Sequence, residues 1–419
     1  MNFDIDAARL HLAEHEMDFL AGSPVVAHCH HFNLFWDQTM DDALGEEAGR
    51  RVRTVAAHKS SYRLLQSLAD EVGATTPVER LRLAGGVFSA MGHGKLHLAV
   101  GRNGGLVRGE QLHYGFGWRE KYGGTLTRSA PADAFATGFS AAATEVAYGL
   151  DPGSLAGNEE RCIVDGSAGC NIRVSANGAE PLLPLGVDPQ SARDVLPPPF
   201  DGLYEDQIGP VVSGLRDFLS GVAGDERGVI EAFGVLVTAH LADYYNHAAN
   251  DVLEIIARDK PHGVEAFRGL LLEAGQSCAF HTFGGVLASP EWEGMVGAPT
   301  GDPLEVVIGC VSLARAFGFG RWAIEEFEPG KRLVMTSPGT YESLFSRLIS
   351  ADAAQGPGGI FVGAGIGIMQ LAHDVTWVPR PSIDGALYLE LARTNPWHVE
   401  QDSSFAGGDV LDRIVVTRR

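Results

Sequence analysis

The chain has 419 residues, of which 45% are hydrophobic and 20% charged, and its formal net charge is −21. A polyanion of this kind repels phosphate backbones and anionic surfaces, so neither nucleic acid nor membrane is an expected partner. No apolar run reaches the roughly eighteen residues of a membrane span, and the length predicts two or three domains rather than a single core.

The first residues, MNFDIDAARLHLAEHE, are acidic and amphipathic and predict a helix within residues 1–25. They lack the basic start and apolar stretch of a signal peptide, which predicts a cytoplasmic protein. Next comes AHCHHFNLFWDQ, which carries His28, His30 and His31. Read as helix, it sets His28 and His31 one turn apart on one face. That spacing suits a general acid/base pair or a metal site; the plainer alternative is hydrogen-bonded core histidines. Aromatic residues cluster at Phe32, Phe35 and Trp36, and again at Tyr114, Phe116 and Trp118. Interleaved with His28 and His113, they suit the wall of an apolar pocket holding a few polar groups.

PVERLRLAGGVFSAMGHGKLHL, from Pro77, predicts a helix ending in a glycine turn, then a strand. A small-residue helix follows over Ala136–Leu150, and then RCIVDGSAGCNIRV. There Cys162 and Cys170 stand eight residues apart across a turn between strands, where both thiols can reach one cation. Two independent core cysteines are the alternative. The total of five cysteines is odd and speaks against a disulfide framework.

Residues 177–225 hold a stiff linker with Pro197, Pro198 and Pro199, followed by a helix. Beyond it the sequence repeats itself. A spacing of 226 carries Pro77 onto Pro303, Glu79 onto Glu305, Gly92 onto Gly318 and Gly94 onto Gly320. VAHCHHFN returns as TAHLADYYN, matching His28 to His240, and Asn158–Val174 returns as Glu400–Val416 at a spacing of 242. The predicted fold is therefore α+β. It has two pseudo-symmetric copies, 26–176 and 226–419, of a module in which helices and antiparallel strands are segregated. In the second copy His240, Asp243, Tyr244 and His247 share a predicted helical face, which could meet His28 or His31 between the modules. The cysteines are lost there: Ser404 and Asp412 stand in their places. Gly363, Gly365 and Gly367 only approach a dinucleotide fingerprint, because Ile368 replaces its last glycine.

The helix, glycine turn, Gly–Phe small-residue helix and terminal E-x-x-C-x7-C-x-I-x-V resemble the 4-vinyl reductase domain family. Its members include a bacteriochlorophyll-biosynthesis protein and the phenol-sensing input domains of aromatic-responsive transcription activators. The resemblance implies a zinc-type site on Cys162 and Cys170. It places Asp133 where the family has an upstream cysteine and His113 near the family's glutamate, with Glu110 and Glu120 as other candidates for that position.

These readings leave two functions open. The first is a metal-dependent enzyme acting on a small hydrophobic, aromatic or tetrapyrrole-like molecule. It would use zinc or iron, with His28, His31 and His240 moving protons and Tyr114, Trp118, Phe32, Tyr244 and His247 around the ligand. The second is a non-enzymatic sensor or carrier with a structural zinc, and a homodimer is compatible with either.

Overall fold

The computed structural model describes residues 6–123, 128, 130–350 and 359–419. The chain opens with a β-meander of Arg9–Leu12 (β1), Met17–Leu20 (β2) and Ser23–Cys29 (β3), where the sequence suggests a helix over 1–25. The apolar period explains the difference. Met17 and Phe19 are buried on alternate positions, and Ala21 and Gly22, both at positive φ, make the two-residue turn of a hairpin.

Three helices follow: His30–Leu44 (α1), Glu46–Glu71 (α2) and Pro77–Ala90 (α3). The start of α3 is fixed by a capping box between Thr76 and Glu79, with Pro77 in the first turn. Then come Leu96–Gly101 (β4), Gly104–Gly109 (β5), His113–Tyr122 (α4), Ala134–Tyr148 (α5), Ala156–Arg161 (β6) and Cys170–Ser175 (β7). The linker is not wholly irregular, because Asp188 caps a short helix at Pro189–Val195 (α6) ahead of Glu205–Ser220 (α7).

The second copy runs Ile230–Ala232 (β8), Val235–Leu241 (β9), Ala242–Asp259 (α8) and Val264–Cys278 (α9), then a π turn over Ala279–Phe283. After it come Gly284–Leu287 (α10), Pro290–Met295 (α11), Pro303–Ala316 (α12), Ala323–Glu328 (β10) and Arg332–Ser337 (β11). Tyr341–Ile349 (α13), Ile360–His373 (α14), Gly385–Arg393 (α15), Trp397–Ser403 (β12) and Asp412–Arg418 (β13) complete the chain.

The fold is α+β. Two four-stranded antiparallel sheets, β4-β5-β7-β6 and β10-β11-β13-β12, have the same strand order. Each lies beside a small-residue helix, α5 or α14, that packs closely along α2 or α9. A third sheet, β1-β2-β3-β9-β8, joins the copies. At its centre β3 and β9 pair antiparallel with Ala27 opposite Ala239, Val26 opposite His240 and His28 opposite Thr238. Because His28 and His240 are equivalent in the repeat, this register puts a local twofold axis between the two strands.

The strands are also exchanged. The Ala27 amide donates to the Phe317 carbonyl at 2.9 Å and the Ala239 amide to the Met91 carbonyl at 3.0 Å, so each copy's strand docks on the other copy's glycine turn. Gly92 and Gly318 sit at φ 86° and 83°, and a Cβ there would lie 2.6 Å from the Val237 carbonyl oxygen and 2.8 Å from that of Val25. Only glycine combines that backbone with that approach. A boundary at residue 26 falls within β3, and one at 226, in the loop before β8, divides strands that share this sheet.

Candidate metal centre and the histidine core

Four buried acid groups converge between β6, β7 and the start of α5. Asp133, Glu159, Cys162 and Cys170 each offer a ligand atom, and all four atoms lie within 4.8 Å of one another. β7 alternates so that Cys170 and Ile172 both point inward. In β6 a bulge between Glu159 and Arg161 inserts one residue opposite β7. Without it Glu159 and Cys162, three apart, would face opposite sides; with it both face the core. Asp133 is the residue before α5, and its carboxylate accepts from the Gly115 amide at 3.2 Å. A Cβ on Gly115 would fall 2.6 Å from Asp133 Oδ2 and 3.2 Å from Cys162 Sγ, so a bare backbone is needed at this approach.

The spacings fit one tetrahedral ion. Two sulfurs at about 2.3 Å from a zinc lie about 3.8 Å apart, and a sulfur and a carboxylate oxygen at about 2.0 Å lie about 3.5 Å apart. Here Cys170 Sγ is 3.7 Å from Cys162 Sγ, and Asp133 Oδ2 is 3.5 Å from Cys162 Sγ and 3.3 Å from Cys170 Sγ. Glu159 Oε2 accepts from the Asp133 amide at 2.9 Å, while Oε1 is buried without a hydrogen-bond partner. Burial, and then the neighbouring Cys162, holds the Asp133 carboxyl well above the usual carboxylate range. Burial and Asp133 do the same to Glu159. The S–H of Cys170 hydrogen-bonds to Cys162 and draws that thiol down to about 6, while donating this bond and being buried raise Cys170 itself. Four such groups packed together repel unless they keep protons or share a cation.

His113 is not part of this set. It opens α4 two residues before Gly115 and turns the other way, with Nε2 2.9 Å from Asn33 Nδ2. The fourth group beside Asp133, Cys162 and Cys170 is Glu159; His113, Glu110 and Glu120 are not in the cluster. The signal was the glutamate of the E-x-x-C motif itself, which joins the cluster only when the bulge is counted. In the second copy the equivalents are Gln401, Ser404 and Asp412, with a matching bulge between Gln401 and Ser403. There Gln401 Nε2 donates to Asp412 Oδ1 at 3.3 Å, where the first copy has its acidic cluster.

The histidines read as helical lie mostly elsewhere. His28 is in β3 and His240 in β9, both 0% exposed, while His31 belongs to the first turn of α1. His28 and His31 therefore share no helical face. The β-branched Val25 and Val26 and the pairing with β9 hold the stretch before His30 extended, which overrides its helix-like spacing. Through the strand exchange each buried histidine enters the other copy's core. His28 stacks on Phe32 at 4.0 Å and lies 4.7 Å from Phe319, with Cys278 Sγ at 3.6 Å and the Tyr341 hydroxyl at 3.5 Å. His240 lies against Phe135 and His93, with centroids at 4.3 and 4.7 Å, and its Nε2 is 3.0 Å from the Tyr114 hydroxyl.

Around His240 a polar network runs through the core. Tyr245 donates to Asn33 at 2.6 Å, Asn33 to Thr238 at 3.1 Å, and Tyr244 to Asp37 at 3.1 Å. Asp37 is paired with the fully buried Arg53. Burial pushes His240 down to about 3 and holds His28, His93 and His113 well below the usual imidazole range, so all four are neutral at physiological pH. His93 is 1% exposed and neither ring nitrogen has a hydrogen-bond partner; Phe135 stacks on it at 4.4 Å. In the sequence His93 and His97 flank the glycine turn, a position that reads as surface or pocket lining.

Three candidates fall outside the cluster, one of them His31, which bonds Lys121. His247 Nε2 bonds the Leu185 carbonyl at 2.8 Å and pins the linker. Trp118 packs on Tyr122 at 4.9 Å with Arg128 over its ring. Among the described residues no helix is long and apolar enough to cross a membrane.

The chain matches no family model and no curated protein sequence, so the 4-vinyl reductase likeness stays a likeness of motif. Among solved structures it is similar to the phenol-responsive sensory domain of the transcription activator PoxR, crystallised with phenol. Identity is 15% and the TM-score 0.33, over 41% of this chain and 86% of that domain. What that domain binds is a property of that domain.

Proposed function

We propose that the protein is a small-molecule-binding protein of sensor or carrier type, whose first copy is held by a closed structural metal centre on Asp133, Glu159, Cys162 and Cys170. The observation that carries the metal centre is the set of sulfur and carboxylate spacings, which match the edges of one zinc tetrahedron; the binding role rests on His93, buried with neither ring nitrogen partnered. Two thiolates with two carboxylates suit zinc, or ferrous iron as second choice. A centre with four protein ligands has no open position for substrate, which favours a structural role over a catalytic one.

The centre abuts α4 at Gly115, and α4 carries His113 and Tyr114 into the polar core. Metal binding would therefore set the shape of the region around His93, His113 and His240. Aromatic walls with imidazole nitrogens lacking partners suit a neutral aromatic molecule bearing one hydrogen-bonding group. Catalysis by these histidines is the less favoured reading. A general base works best with a pKa near the operating pH, and His240 sits near 3.

The reading is tested by calorimetry and thermal melts with monocyclic phenols and anilines. Wild type should bind one molecule per chain. His93→Phe should keep the fold and weaken binding about tenfold or more, as loss of one specific buried hydrogen bond does. Equal affinity in the variant, or no binding by wild type, rejects the assigned pocket.

A further inference from the structure

A second cluster, away from both sites above, lies where the last turn of α4, the start of α1 and the π turn meet. Lys121 Nζ donates to His31 Nδ1. The His30 ring lies 4.0 Å from His31, and His281, brought in by the π turn, lies 5.3 Å from it. A π turn shifts the residues after it by one place and often marks functional positions. His281 is 6% exposed and its Nδ1 has no hydrogen-bond partner. His30, His31 and Lys121 line a cavity of about 640 Å³ walled by Phe116, Val235 and Leu236, with Glu120, Glu231 and Glu291 around it.

Lys121 differs from the other lysines. The chain has five. Lys59 is paired with Asp251 and Lys331 with Glu328, while Lys95 and Lys260 stand exposed in solvent. Lys121 is half-buried in a cavity wall, and its bonded partner is an imidazole.

We propose that Lys121 captures a neutral aldehyde or ketone with an apolar body as a reversible imine, with the neutral His31 imidazole positioning the amine through its hydrogen bond. This site is independent of the pocket proposed above. The amine nitrogen attacks the carbonyl carbon, and the C–O π pair moves to oxygen. A proton passes from nitrogen to oxygen through solvent water to give the carbinolamine. The second N–H proton and the hydroxyl then leave as water, and C=N replaces C=O. No other reactant is needed. The three glutamates disfavour an anionic keto acid, and the Phe116 wall favours an apolar substituent.

The surroundings support a partly neutral amine. Burial lowers Lys121 to about 8, against the opposing pull of Cys29 at the end of β3 and Asp384 before α15. The facing imidazoles add no charge: His30 is held near 4 and His281 near 3, each chiefly by burial, and burial keeps His31 lower still.

The test is to incubate the intact chain with benzaldehyde and sodium cyanoborohydride and map the benzyl adducts by peptide mass spectrometry. Lys121 should be labelled roughly tenfold or more faster than Lys95, Lys260 and Lys331 at pH 7.5, as a free amine of lowered pKa predicts. Its rate should rise between about pH 7 and 9. Benzoylformate, the anionic analogue, should not compete. His31→Gln should retain the adduct but slow it. Equal labelling of the exposed lysines, or an unlabelled Lys121 in the folded wild-type chain, overturns the proposal; because the comparison lies within one wild-type molecule, no variant's folding decides it.

Discussion

Ala27 and Ala239 face each other across the local twofold axis, and each donates its amide to the opposite copy, to Phe317 and Met91 respectively. The two copies thus do not fold as beads on a string. Each completes its glycine turn only with the other's strand, so a defect at one junction must be felt in both copies.

The junction glycines test this. Gly92→Ala and Gly318→Ala should each destabilise the chain by about 2 kcal/mol or more, from the strained backbone together with the clash against Val237 or Val25. The check is a pair of denaturant titrations. A single cooperative transition shifted by similar amounts in both variants is expected, and separate unfolding of one copy would contradict the exchange.

Arg53 is fully buried between Asp37 and Asp41, and Arg128 reaches Asp41 at 3.0 Å. Arg53→Ala would strand buried carboxylates and should cost about 3–5 kcal/mol. Arg53→Ala combined with Asp37→Asn should recover part of this, which a double-mutant cycle measures.

How far the sequence reveals such features depends on whether neighbours decide them. The repeat, the α+β class and the helix-to-glycine-turn unit at Pro77 and Pro303 are written in local signals: proline at the first turn, a capping residue before it, glycine after the end. The strand state of His28 and His240 is not, because it depends on pairing between residues more than 200 apart in sequence. Cys162 and Cys170 are legible from the turn between them. Glu159 becomes a ligand candidate through a bulge, which alternation alone does not announce. Lys121 and His31 meet only through tertiary packing.

His240→Ala should lower stability by about 2–4 kcal/mol, since it empties a site that is 0% exposed and removes the hydrogen bond between its ring and the Tyr114 hydroxyl. Thermal melts check this, and an unchanged midpoint would mean the site is not packed as described.

His11 supplies a pH dependence. Burial works to lower its pKa, but hydrogen bonds to Asp18 and Glu16 outweigh this and raise it to about 9. A raised folded-state value means the pair stabilises fully below the unfolded value near 6.5 and loses that contribution as pH rises through 9. His11→Gln should therefore reduce stability at pH 6 and matter little at pH 9.5, with solvent screening keeping the difference modest. A loss that is equal at both pH values would rule out the ion pair as its source.

The most direct test of the central claim is the metal content of the purified chain by inductively coupled plasma mass spectrometry, beside Cys162→Ser and Cys170→Ser. The account predicts about one zinc or iron per wild-type chain, bound to the Asp133–Glu159–Cys162–Cys170 set, and its loss in both variants with a fall in melting temperature, because structural metal binding is coupled to folding. A wild-type chain that stays metal-free after refolding with either ion, and melts no lower as Cys170→Ser, would contradict it.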